Sequence, residues 1–164
     1  MTRLIKESVI FAVIIIFLSS TYLIFSWNKY NNEASAMALS LVESVEAFIP
    51  DEHIKELSGS SEDLGTPEYE MIKQNLTELV ETANPIRFAY LMTKKDGNIV
   101  ILADSEASGS EDYSHPGQLY EEAADIFSET FESGKTVITE PETDRWGTWI
   151  SALVPVKDPV SGNH

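Results

Sequence analysis

Three histidines, twenty-seven acidic side chains and no cysteine set the chemistry open to this chain. Without cysteine there is no disulfide framework and no thiolate metal site. His53, His115 and His164 never lie three or four residues apart, the spacing that puts two imidazoles on one helix face for a metal. Each reads as a solvated or satisfied ring. Glu121-Glu122 and Glu140-x-Glu142 are adjacent or flank a turn. An acid/base pair must face its substrate from two sides, so these read as solvated carboxylates. Ser108 to Asp112 lacks the alternating acidic ligands of a calcium loop. No Gly-rich phosphate loop, nucleophile elbow, zinc-protease helix or kinase catalytic loop occurs. The sequence therefore predicts no enzyme in this chain, no catalytic residue, no metal and no cofactor.

The elements that would position any site begin with Phe88 to Glu106, FAYLMTKKDGNIVILADSE. Phe88–Met92 and Asn98–Ala103 read as two strands. Lys94-Lys95-Asp96-Gly97 supplies the turn between them, because Gly takes positive φ freely and Asp tolerates it. A lone hairpin is marginal in water, so the other elements are expected to cover it. Thr66 caps a helix with Pro67 at its first position and Glu68 and Glu70 in its first turn. Its apolar face is Tyr69, Ile72, Leu76, Leu79, Val80 and Ala83, and Asn84-Pro85 ends it. Ala107–Gln118 reads as a polar loop. Leu119–Ser133 reads as an amphipathic helix closed by Gly134. Val137–Glu140 is a short strand, Thr143–Gly147 a turn, Thr148–Val156 a long strand, and Asp158–Asn163 another hairpin turn. The order predicts an α+β domain: an antiparallel sheet with helices packed on it.

Ahead of this domain lies Ser8 to Trp27, twenty residues without a charge. At about 1.5 Å per residue such a helix crosses a hydrocarbon core of about 30 Å. Arg3 and Lys6 precede it, and Tyr22 and Trp27 mark its far end. The positive-inside bias predicts a cell-membrane anchor with a cytoplasmic N-terminus and the rest outside. The rival is a signal peptide cleaved near Ala34-Ser35-Ala36, although the apolar run is long for one. The division is thus 1–27, stub and transmembrane anchor, and 28–164, the extracytoplasmic domain. Beyond Trp27 nine Lys/Arg face twenty-six Asp/Glu, a charge of −17. Such a field repels phosphate backbones, so nucleic acid is excluded as a partner. Asn28–Ile49 reads as a helix with Ala34, Ala38, Leu41, Val45, Phe48 and Ile49 at spacings of three and four, stopped by Pro50. That stripe suits either a homodimer seam or packing on the helix's own domain.

Gly97, Ile99, Asp104, Ser105, Tyr113, Pro116, Gly117, Trp146 to Ala152, Pro155 and Val156 form an ordered pattern. G-x-I-x-x-x-A-D-S is followed by a Tyr and Pro-Gly loop, then W-G-T-W-I-S-A-x-x-P-V. It resembles the PAS-like extracytoplasmic sensor domains called Cache or PDC, over residues 30 to 164. The resemblance implies a five-stranded antiparallel sheet with flanking helices, and here its final central strand is expected to be missing, as in a C-terminally truncated domain. It implies a small-molecule ligand outside the cell and a cytoplasmic histidine kinase, diguanylate cyclase or chemotaxis module as output. It places Tyr90, Asp104, Tyr113, His115, Arg145 and Trp149 near the ligand. Aromatics there would form a wall, while Arg and Asp would orient a polar group. Tyr90 and Trp149 are equally readable as core, and Arg145 as a turn residue. The loop from Glu111 to Tyr120 lacks the Arg and Trp of amino-acid-binding members, so an amino-acid ligand is not implied. The competing expectation is an anchored protein-interaction domain without a metabolite.

Overall fold

The computed structural model describes residues 2–46, 51–83, 86–121, 125–144 and 147–156. Arg145, Trp146, Pro50, Asn84-Pro85 and the Asp158–Asn163 turn lie outside these residues, as do Phe48, Ile49 and Ala123. The fold is mixed α+β, with a long N-terminal apolar helix and small antiparallel sheets. The chain divides into two compact units, residues 1–36 and 37–164.

In the first unit, helix α1 begins at Thr2, and the element runs on to Glu46. From Ile5 to Ile24 every side chain with a described burial is exposed, and the apolar window has a mean hydropathy of 2.5. An exposed helix of that composition is long and apolar enough to cross a membrane. Thr21 is one of its polar interruptions, and its hydroxyl donates to the Phe17 carbonyl at 2.8 Å.

In the second unit, the core forms between helix α3 (Pro67–Thr82) and the hairpin of β1 (Tyr90–Lys95) and β2 (Asn98–Asp104). Thr66 caps α3 by accepting from the Tyr69 N–H at 3.3 Å, with Pro67 at the first turn. Tyr69, Ile72, Leu76, Leu79 and Ala83 then fall on one face and pack against Ala89, Leu91, Leu102 and Ala103. Leu41 of α1 joins this cluster. The stripe on α1 is therefore taken up, at Leu41, by its own domain. A short helix, α2 (Asp51–Lys55), and a 3₁₀ turn at Ser61–Asp63 connect α1 to α3.

The hairpin turns at Asp96-Gly97, with φ of +51° and +83°. Two successive positive φ values define the twist-matched two-residue turn that Asp-Gly favours. Register runs Lys95↔Asn98 to Met92↔Ile101, then shifts to Leu91↔Ala103 and Tyr90↔Asp104. The shift is a bulge at Leu102, which turns both Leu102 and Ala103 into the core.

The segment after the polar loop differs from the expected helix. Residues 118–120 run along the second edge of β2, straight after the turn at 115–118. Gly117 N–H donates to Ile101 O, Ile101 N–H to Gln118 O, and Tyr120 N–H to Ile99 O, at 2.8 to 3.0 Å. Among the described residues, helix α4 covers Asp125–Ser133. Backbone pairing with the buried strand β2 outweighs the weak periodicity at Leu119. The expected long strand at Thr148–Val156 is likewise divided. β4 (Glu142–Asp144) pairs with β5 (Gly147–Trp149), and β3 (Val137–Ile138) pairs with β6 (Ala152–Leu153). Among the described residues the result is three two-stranded antiparallel pieces.

Candidate functional site

The end of β2 brings two expected site residues into one bonded cluster. Asp104 is fully buried and accepts from two sides. Its Oδ1 takes the Lys73 ammonium of α3 at 3.0 Å, and its Oδ2 takes the Ser114 N–H at 2.7 Å. Lys73 Nζ also donates to the Asp104 carbonyl at 3.1 Å and to the Glu106 carbonyl. It lies 4.8 Å from the centre of the Tyr113 ring, a cation–π contact. Tyr113 in turn shares a hydroxyl hydrogen bond of 3.1 Å with Tyr69. Burial pushes the Asp104 carboxyl above its ordinary range, and the Ser114 and Lys73 donors offset only part of that rise. Burial likewise raises the Tyr69 phenol, helped by the Tyr113 hydroxyl.

A second cluster is aromatic. Tyr90 lies opposite Asp104 in the hairpin register, so the two share a face. Phe88 stacks on Tyr90 with centroids 6.1 Å apart, and Trp149 of β5 meets Phe88 edge-on at 5.6 Å. The Arg87 guanidinium lies over Phe88 at 4.2 Å. It also pairs with Glu106 and with Asp112, the latter at 3.3 Å. Tyr120 meets Phe127 of α4 edge-on at 5.4 Å. The Tyr90 phenol is held far above its usual range, first by burial and then by Tyr120, Asp104, Glu106 and Asp112. Carboxylates thus act on Tyr90 from the loop that follows β2.

His115 stands apart from both clusters. It is exposed on the turn at 115–118, where its N–H donates to the Gln118 side-chain oxygen at 3.4 Å. Its Nδ1 lies 3.1 Å from the Pro116 carbonyl. Of the six residues expected at the ligand, Asp104, Tyr113, Tyr90 and Trp149 therefore gather around the end of the hairpin. Arg145 is outside the described residues. Sequence reasoning missed Lys73, Phe88, Tyr120 and Arg87. Lys73 had one signal: it is the single cation between Lys55 and Arg87. Its outer neighbours Glu70, Gln74, Thr77, Glu78 and Glu81 line an open groove along α3. Among the described residues no three acidic or histidine side chains are grouped to hold a metal.

The arrangement sets an aromatic cluster beside buried, hydrogen-bonded polar groups at the end of the hairpin. Among the described residues of these clusters no nucleophile lies beside a base. Comparison with protein-family models, curated proteins and solved structures gave no match. What fold and composition define is a class: a mixed α+β domain on a helix of membrane-spanning length.

Proposed function

We propose that this chain is the extracytoplasmic small-molecule-sensing input domain of a transmembrane signal-transduction receptor, of the PAS-like Cache/PDC type. The observation that carries the reading is the gathering of Phe88, Tyr90 and Trp149 beside Asp104 and Tyr113, in a chain that opens with a membrane-length helix. Aromatic walls with a few fixed polar groups are how proteins enclose small ligands. The antiparallel hairpin, α3 packed on it and the loop that leads from β2 into the 118–120 segment fit the same reading. A histidine kinase or diguanylate cyclase is the output this reading implies. It includes a homodimer through α1. Leu41 is used by the domain's own core, so a second copy would meet the exposed side of α1 at Met37, Ser40 and Ser44.

The test is a thermal-shift screen of the full chain in detergent micelles against small carboxylates, amines and sugars. The expected result is a stabilising compound whose effect is lost in Tyr90→Ala and Trp149→Ala. If every stabilising compound acts equally on both variants, the aromatic cluster is core and the sensing reading fails at this site. Sedimentation of the same micelles tests the dimer, and a monomer at tens of micromolar would remove it.

A further inference from the structure

Residues 105–114 form a strap whose two ends are fastened at one place. At the first end, Lys73 takes the Asp104 and Glu106 carbonyls, and the Thr77 hydroxyl donates to the Ser105 carbonyl at 3.1 Å. At the far end, Ser114 N–H enters Asp104 Oδ2, and the Tyr113 ring lies under the Lys73 ammonium. Between them the strap bonds within itself. Ser110 N–H donates to Ala107 O at 2.9 Å, Tyr113 N–H to Ser110 O at 3.3 Å, and Asp112 N–H to the Ser110 hydroxyl at 3.1 Å. The Arg87 pairs that reach Glu106 and Asp112 come from a half-exposed side chain, where such pairs hold weakly.

We propose that Lys73 and Asp104 form a latch, and that the strap opens about it as one unit, hinged at Ser105. Ser105 itself stays fixed, since its N–H donates to Ala89 O at 3.0 Å and its hydroxyl accepts from Ala89 N–H at 3.1 Å, and at the far end the Tyr113–Tyr69 hydroxyl bond is the other link to α3. A self-bonded segment released at Lys73–Asp104 therefore loses little internal structure, and its opening is local. The latch stands apart from the sensing reading, since it concerns the empty protein and no ligand enters its test.

The test is amide hydrogen exchange on the full chain in micelles, with Lys73→Met against wild type. Met keeps most of the stem and removes the ammonium. The expected result is that the Ser114 amide accelerates relative to the amides of residues 99–103 by roughly tenfold or more, the loss expected for charge-assisted bonds, while the internally bonded Ser110 and Tyr113 amides keep their rates. An unchanged ratio between Ser114 and residues 99–103 would overturn the latch. Should Lys73→Met fail to fold, wild-type exchange in low denaturant decides. The Ser114 amide is expected to open before those of Ile101 and Ala103. A single shared opening for all three overturns the proposal.

Discussion

Asp63 and Asp104 are both buried carboxylates, and their surroundings drive them in opposite directions. Burial alone would raise Asp63. The Ser58 N–H and hydroxyl at 2.8 Å, with the Gly59 and Ser60 N–H groups, outweigh it and hold Asp63 below its ordinary 3.8. A lowered folded pKa means that the stabilisation is fully present above pH 3.8 and is lost as pH falls through the folded value. Asp104, raised mainly by burial, has the other sign: its ionised form costs stability, and that cost is relieved as pH falls through its folded pKa. Asp63→Asn is therefore expected to cost about 1–3 kcal/mol near neutral pH, because its donors lose a charged acceptor. The difference from wild type should close only below pH 3.8, once the wild-type carboxylate is itself protonated. Urea melts at pH 7 and across the acid range measure both. A difference that stays constant down to the lowest pH would remove the charge from the account.

Gly97 and Gly117 show how far local geometry and packing can be separated within elements. Their φ values are nearly equal, +83° and +84°. A Cβ at Gly97 would meet nothing within 4 Å, whereas one at Gly117 would lie 2.7 Å from the Gly59 carbonyl. Gly97→Ala is expected to cost about 1 kcal/mol for the left-handed backbone alone. Gly117→Ala should cost clearly more, since the backbone of the Ser58–Asp63 loop must also move. Equal costs, read from urea melts of the two variants, would show that this loop gives way freely. In the core itself, Ile72→Ala removes a fully buried side chain between α3 and the hairpin and should cost about 2–5 kcal/mol. The hairpin and α3 were legible in the sequence because their signals are local: Asp-Gly between two apolar runs, and Thr66-Pro67 before a regular apolar face. The 118–120 segment was not legible. Its extended form depends on the edge of β2, which no spacing around Leu119 encodes. The division of Thr148–Val156 was hidden for a similar reason: at Ser151 its backbone binds Thr139 through both N–H and carbonyl. Of the candidate site, Tyr90 and Asp104 could be placed from the hairpin. Lys73 could not, because its partner lies thirty-one residues away.

At the scale of the whole chain, composition and charge argue for one arrangement. The helix is apolar and exposed from Ile5 to Ile24, so water is a poor solvent for it and a bilayer a good one. Two cations, Arg3 and Lys6, stand before the apolar run, and an excess of seventeen negative charges follows Trp27. Arg3 is paired with Glu7 four residues on at 3.0 Å, but the orientation bias counts Lys and Arg rather than net charge. The prediction is a domain outside the cytoplasmic membrane. The chain has no cysteine, so a single introduced thiol reports without background. Ser61 and Ser108 are both exposed, and Ser61→Cys and Ser108→Cys should leave the core untouched. Each is expected to react with a membrane-impermeant thiol reagent on intact expressing cells, to the same extent as after lysis. Labelling seen only after lysis would put the domain in the cytoplasm and reverse the helix. Release of labelled protein into the medium, with loss of residues before Met37, would instead mean that the apolar segment is removed as a signal peptide. Retention in the membrane fraction, together with full labelling at both positions, is the result that an uncleaved anchor requires.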